Sequence, residues 1–336
     1  MRTLITLIVA ILCSTSIAFA EVLSGSQSDY CTWTLDTETG VLTISGSGAM
    51  QDGNRPWDTY KSYVTSLIIE DEVTYVGAYL FYSHLNLACV TIGSGVTTIG
   101  EYAFYECTSL ASITIPDNVT SIGDWSFSWC TGLTSVTIGS GVTTIGEYAF
   151  RYCSSLTSII IPDNVTTIGQ FAFAYCSILE SVTIGSGVTS IGDYAFNTYS
   201  TSITSVTCLA TTPPSCGSWV FSSDTYVYTT ATLYVTSTDY TTADVWKNFE
   251  NIVLISESGN STGISVNEKL NSAICSVDNA IVINTETAQT AQVYSLSGQL
   301  IVKQAIAAGE TTIGIPTGGV YIVVLDEGTK AKVSVK

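Results

Sequence analysis

From residue 67 to residue 205, apolar and polar positions recur with a single period. Units begin at Leu67, Val90, Ile113, Val136, Ile159 and Val182, each 23 residues after the last, and the unit 182–205 is one residue longer. The opening positions alternate, as in Ile113-Thr114-Ile115 and Val136-Thr137-Ile138. Alternation with period two predicts a short strand with one face inward. Position six reads Glu72, Gly95, Asn118, Gly141, Asn164 and Gly187. Gly and Asn tolerate positive φ, so the chain is expected to turn there. A valine column follows (Val96, Val119, Val142, Val165, Val188), then an Ile-Gly pair such as Ile99-Gly100. An acidic residue comes next in most units: Glu101, Asp124, Glu147 and Asp193. It precedes a short apolar run such as Tyr102-Ala103-Phe104. A carboxylate there suits the positive end of a short helix or 3-10 turn. A unit of this size cannot bury its apolar face alone and must stack on copies of itself. The predicted fold is mostly β, a solenoid in which each coil has a short strand and short helical or 3-10 turns.

The phrases SITIPDNVTSIGDWSFSWCTGL (112–133) and SVTIGSGVTTIGEYAFRYCSSL (135–156) closely resemble the BspA-type leucine-rich repeats of bacterial surface proteins. Strand, Ile-Gly, Ala-Phe and Cys columns all coincide with that pattern. Residues 21–66 resemble the N-terminal β cap of those proteins, and 206–255 their closing segment. Departures fall in the outer coils. His84 and Tyr199 replace Cys, and Leu80 replaces the small residue before Phe81. The resemblance implies a leucine-rich-repeat solenoid over 67–205 that binds other molecules, with no catalytic residue, cofactor or metal.

Residues 256–267 (SESGNSTGISVN) are polar and rich in Gly and Ser, and read as a linker. Short strand-like runs separated by turns then predict an Ig-like β-sandwich over 268–336. The phrases VYSLSGQLIV and IPTGGVYIVVL, with the terminal KVSVK, resemble the type-A C-terminal sorting domain of the type IX secretion system. That resemblance implies a Bacteroidota-type organism and export across the outer membrane. At the other end, Arg2, an apolar run and Ala18-Phe19-Ala20 read as a signal peptide over 1–20. No other stretch reaches the ~20 apolar residues of a membrane span. The expected location is secreted or on the outer-membrane cell surface.

Net charge changes the picture of partners. The chain carries −18 with only 11% charged residues. Anionic phosphate backbones would be repelled, which excludes nucleic acid. Ten cysteines in a secreted chain invite disulfides. Cys107, Cys130, Cys153 and Cys176, however, share one column. Stacked strands lie ~4.8 Å apart, whereas a disulfide prefers Cβ atoms ~3.8 Å apart. The column reads as a buried thiol ladder, with neighbour bridges as the alternative. Cys208 falls at an inward strand position, and a Cys208–Cys216 bridge is left open. No Cys-x-x-Cys accompanies the column, which argues against a metal. His84 is the one histidine and falls in the Cys column of the first coil, a structural position. No G-x-S-x-G, P-loop or H-E-x-x-H motif occurs. A non-enzymatic role follows, in adhesion or protein–protein contact with a host or bacterial surface protein.

Two columns are candidate surfaces. Outward strand positions hold Thr91, Ser112, Thr114, Ser135, Thr137, Ser158, Ser181 and Thr183. Strand propensity and solubility explain such residues, and a protein contact surface is the functional reading. A regular Ser-x-Thr ladder also resembles an ice-binding surface, but Ile160 interrupts it. The second column is aromatic, with Tyr102, Trp125 and Tyr148, beside Trp129 and Tyr152. Packing over the solenoid explains it, and glycan binding by ring stacking is the rival function.

Overall fold

The computed structural model describes residues 21–222, 225–255, 261–265, 272–277, 280–285, 288–295, 300–315, 319–325 and 330–335. The expected signal peptide lies outside them, as does most of the expected linker. Ser261–Ser265, within that linker, is a strand paired antiparallel with Asn251–Ile255.

Each repeat contributes two strands. The longer ones are Ser66–Ile69, Cys89–Ile92, Ser112–Ile115, Ser135–Ile138, Ser158–Ile161 and Ser181–Ile184. The second row starts with the four-residue Val73–Val76 and continues in two-residue strands, Thr98–Ile99, Ser121–Ile122, Thr144–Ile145, Thr167–Ile168 and Ser190–Ile191. Both rows stack in parallel, and equivalent residues of successive coils face each other, as Ser121 faces Thr144. Parallel stacking starts before residue 67 and continues past 205. Val41–Gly46 pairs in parallel with Ser66–Ile69, and Ser205–Cys208 with Thr232–Val235. The result is a solenoid of about nine turns. Val22–Ser26 and Cys31–Asp36 add an antiparallel hairpin onto Val41–Gly46.

One column runs through the whole core. Trp57, Phe81, Phe104, Phe127, Phe150, Phe173, Phe196 and Phe221 are fully buried, and successive rings stack at 5.2–5.7 Å. The valine and isoleucine columns and the four ladder cysteines line the same core.

The helical expectation is corrected. Within 67–205 the third side of each coil is built from turns, with no helix. Its peptides alternate in direction instead. The amides of Tyr102, Phe104 and Glu106 donate to Asp124, Ser126 and Ser128 of the next coil at 2.8–3.0 Å, while Ala103 and Tyr105 bond locally. A regular helix would keep all these bonds inside one coil and leave the next without partners. Residues in left-handed conformation make the alternation possible. They are Tyr102 and Glu106 in this coil, Trp125 and Trp129 in the next, and Tyr148 and Tyr152 after that. Nor do the acidic residues cap helices. Asp124 accepts from the amide of Glu147, and Asp193 from that of Ser218, one coil further on.

Position six is corrected too. Asn118 and Asn164 turn without positive φ. Gly95, Gly141 and Gly187 are required for another reason: a Cβ on each would collide with the carbonyl oxygen of Asp71, Asp117 and Asp163 in the coil beneath.

That asymmetry exposes an alternation of two coil types. Turns reading Pro-Asp-Asn (116–118, 162–164) alternate with turns reading Gly-Ser-Gly (93–95, 139–141, 185–187). Asp71, Asp117 and Asp163 accept the amides of Ser94, Ser140 and Ser186 at 2.7 Å. In the other direction, Asn118 and Asn164 donate to the carbonyls of Ser94 and Ser140 at 2.6 and 2.7 Å. The row of long strands follows the same rhythm. Its pairing is interrupted between Cys89–Ile92 and Ser112–Ile115, and again between Ser135–Ile138 and Ser158–Ile161. A proline follows the upper strand at both seams. At two continuous junctions the residue after the strand donates downward, Glu70 to Ile44 at 3.0 Å and Leu209 to Ile184 at 2.9 Å. Pro116 and Pro162 occupy that position and have no N–H to give.

Among the C-terminal described residues, Ser272–Val277, Ala280–Thr285 and Gly309–Gly314 form one antiparallel sheet. Gln289–Ser295, Leu300–Ile306, Gly319–Leu325 and Lys330–Val335 form a second. Ile281, Ile283 and Ile313 of the first share a buried cluster with Val293, Ile306, Val323 and Leu325 of the second.

Candidate functional site

Positive φ puts the aromatic residues on the surface in register. Tyr79, Tyr102, Trp125, Tyr148, Phe171 and Tyr194 all have φ between +54° and +62°. Their rings form one stack with centroids 4.0–5.6 Å apart and planes within 11° of parallel. Four residues on, or five in the last unit, Trp129, Tyr152, Tyr175 and Tyr199 form a second stack at 4.1–4.5 Å. A left-handed residue with a side chain costs ~1–2 kcal/mol, and each stacked pair returns ~0.5–1.5 kcal/mol. Stacking along the axis thus helps to hold a backbone that only glycine adopts without strain.

The geometry bears directly on glycan stacking. Ring faces within each stack are turned to their neighbours, so Tyr102, Trp125, Tyr148 and Tyr152 offer edges outward. A sugar ring needs a free face. Trp129 begins its stack, and at 38% exposure it is the most open of the five predicted residues.

Between the two stacks lies a third column, which the sequence reading overlooked. Tyr82 and Tyr105 stack in it at 4.9 Å; Ser128, Arg151, Ala174 and Asn197 continue it. Arg151 is the one Lys or Arg between Lys61 and Lys247. Its guanidinium carbon lies 4.6 Å from the ring centre of Tyr152, 5.0 Å from Tyr175 and 5.6–5.9 Å from Tyr148, Trp125 and Phe171. The small buried Ser128 and Ala174 on either side leave room for it. No carboxylate among the described residues pairs with it. A lone Arg among aromatic columns was the available signal in the sequence.

The Ser/Thr positions do face outward together on the long-strand row. Thr91, Ser112, Thr114, Ser135, Thr137 and Ser158 are exposed, while Ser181 and Thr183 are half-buried. Ile160, at 67% exposure, interrupts the ladder, and the two seams divide it further. A more regular column lies on the other row. The hydroxyls of Thr97, Thr120, Thr143, Thr166 and Thr189 each donate to a threonine carbonyl one coil below, at 3.0–3.2 Å. Those donors are used within the fold.

The cysteine column is chemically quiet. Each thiol donates to a phenylalanine carbonyl: Cys107 to Phe81, Cys130 to Phe104, Cys153 to Phe127 and Cys176 to Phe150, at 3.2–3.4 Å. All four are free and buried. Burial pushes the Cys107 and Cys153 thiols well up, and that of Cys176 to about 12. Cys208 and Cys216 are also free, and Tyr240 donates to the Cys208 sulfur at 3.2 Å. Among the described residues no group of three or more His, Cys, Asp and Glu could hold a metal ion. No helix there is long and apolar enough to cross a membrane.

Comparison with known proteins fits this geometry. Residues 59–154, 97–228 and 143–264 match the BspA type Leucine rich repeat region, in six copies. None of the curated proteins matches the chain. Among solved structures, a leucine-rich repeat protein of T. pallidum is 25% identical, covering 59% of this chain and 88% of its own, with a TM-score of 0.46. One from Bacteroides ovatus is 19% identical, covering 68% and 70%, with a TM-score of 0.42. One from Eubacterium ventriosum is 23% identical, covering 70% and 78%, with a TM-score of 0.36.

Proposed function

The chain belongs to the BspA-type leucine-rich-repeat family, and from that premise we propose that it is a non-enzymatic binding protein whose aromatic turn face grips another protein. One observation carries the choice of face: Arg151 stands among five aromatic rings with no carboxylate partner among the described residues. Tyr, Trp and Arg are the residues that dominate binding energy at protein interfaces. Here the rings are already held by stacking, so little side-chain freedom is lost on contact. The Ser/Thr row offers no comparable anchor. The partner belongs to the surface proteins of a host or of another bacterium.

The rest of the chain serves display in this reading. Residues 1–20 direct export, 21–66 cap the solenoid, and 268–336 form an Ig-like sorting domain for the type IX system. Adhesion is the outcome at the cell surface.

Binding of candidate surface proteins to the purified chain tests the choice of face. Arg151→Glu should abolish binding, and Thr137→Arg on the strand row should leave it intact. The opposite pattern would move the function to the Ser/Thr row. A neutral glycan bound at the open face of Trp129 would replace protein contact with the rival function.

A further inference from the structure

The first aromatic stack ends before its column does. Trp219 occupies the next place in that column, with φ +58° like its predecessors. Yet the last ring contact in the stack is Phe171 with Tyr194, and no aromatic ring of the described residues contacts the Trp219 indole. The residue is 50% exposed. After it come the short helix Tyr226–Thr230, the stacked strand Thr232–Val235 and then Trp246–Asn248, a 3-10 turn.

A cavity of about 470 Å³ opens beside Trp219, with Ser218, Thr225, Tyr228, Asn248 and Glu250 in its wall. That volume falls among ligand sites, which run to ~300–1,000 Å³. Val245 also lines it, at φ 68° and ψ −52°. A β-branched residue in that region is a true outlier, and such strain gathers at ligand sites. The surroundings impose it. Trp246 is buried, and its indole donates to the Pro214 carbonyl at 2.9 Å. Lys247 and Asn248 donate amides to Ala243 and Val245 at 2.9 and 3.2 Å, and Glu250 to Tyr228 at 2.8 Å. The strained turn thereby holds the backbone of Asn248 and Glu250, both in the cavity wall. Both side chains are exposed, and neither is used in a hydrogen bond within the described residues.

We propose that this cavity binds a neutral sugar residue, its ring lying on the free face of Trp219 and its hydroxyls bonded by Asn248 and Glu250. An indole face suits the C–H face of a pyranose. An amide and a carboxylate in one cavity wall supply one donor group and several acceptors, the complement of sugar hydroxyls. Anionic sugars are disfavoured, because no Lys or Arg lines the cavity among the described residues and Glu250 repels them. The site is separate from the Arg151 face and stands or falls without it.

The test uses the full chain and a panel of neutral oligosaccharides, followed by calorimetry and indole fluorescence. At least one neutral glycan should bind and quench fluorescence. Trp219→Ala should weaken it at least tenfold, and Tyr63→Ala, an exposed aromatic outside the cavity, should not. Glu250→Gln and Asn248→Ala change exposed side chains that carry no packing, so they keep the test open if Trp219→Ala fails to fold. Each should weaken binding several-fold. Absence of any neutral glycan ligand, or binding indifferent to all three cavity variants, would overturn the proposal. So would preference for choline, which an indole beside a carboxylate also attracts.

Discussion

Asp117 of one coil accepts both the amide and the hydroxyl of Ser140 in the next, at 2.7 and 3.0 Å. The pair recurs as Asp71 with Ser94. Across the intervening junction the contact is different in kind: Asn118 donates to Ser94 from above. Coils are therefore joined in pairs, firmly within a pair and with a gap in the long-strand row between pairs.

Proline at the seam gives a direct prediction. Pro116→Glu installs the residue that Glu70 provides in the first coil, whose amide reaches the Ile44 carbonyl. The new amide should reach the Ile92 carbonyl and stabilise the fold by ~0.5–1.5 kcal/mol, a typical net hydrogen bond. Chemical denaturation measures the gain. Hydrogen exchange should show new protection across the first seam and none across the second, where Pro162 remains.

His84 sets a pH dependence. Burial lowers its pKa from 6.5 to about 4, against an opposing effect of the Tyr82 carbonyl 3.3 Å from Nδ1. In the folded chain the ring stays neutral through the mildly acid range, whereas the unfolded chain protonates near 6.5. Stability is thus complete above pH 6.5 and is lost as pH falls toward 4, by roughly 3 kcal/mol. His84→Cys restores the column residue and should remove this component. The comparison is a pair of denaturation series between pH 7 and pH 4. Parallel curves would show that the histidine is not buried neutral.

Loss of a ring from the phenylalanine column should be costly anywhere in its middle. Phe150→Ala is expected to cost ~3–5 kcal/mol, the range for large-to-small changes in a packed core. The repeat register alone makes Phe196 terminal and cheaper to remove. Its ring instead lies between Phe173 at 5.3 Å and Phe221 at 5.7 Å. Phe196→Ala should therefore cost about as much as Phe150→Ala. Denaturation midpoints of the two variants decide between the readings.

Thiol reactivity should divide by column. Cys89 is exposed on the long-strand row. Alkylation of the native protein should label it, while Cys107, Cys130, Cys153 and Cys176 stay unlabelled until the chain is denatured. Peptide mapping by mass spectrometry reads the pattern. Linked Cys107–Cys130 or Cys153–Cys176 peptides would mean that the column is oxidised.

Strand positions, inward columns and the thiol ladder were legible because each depends on one residue's apolar character at a fixed period. The turn side was not. Tyr, Trp and Phe have no preference for positive φ, so Tyr102, Trp125 and Phe171 gave no sign of a left-handed backbone. Only the need to bond the next coil imposes it. The glycines at 95, 141 and 187 misled for a related reason. Their residue type points to a local φ, but the carbonyl of a residue in another coil dictates them. Arg151 is not legible from the repeat, because the residues of its column share no common character. Trp219 was hidden by the irregular spacing around Pro213-Pro214.

The alternation of turns has a consequence for how such a chain can change length. Removing a single coil, say residues 136–158, would set Asn164 above Asp117, where Gly141 now sits. The Asn Cβ would meet the Asp117 carbonyl oxygen that the glycine avoids. Removing residues 113–158 would bring a Pro-Asp-Asn turn back onto a Gly-Ser-Gly turn and keep both kinds of junction. Duplication or loss in the gene is therefore tolerated two coils at a time. Shorter and longer relatives built on the same alternation should differ by even numbers of repeats.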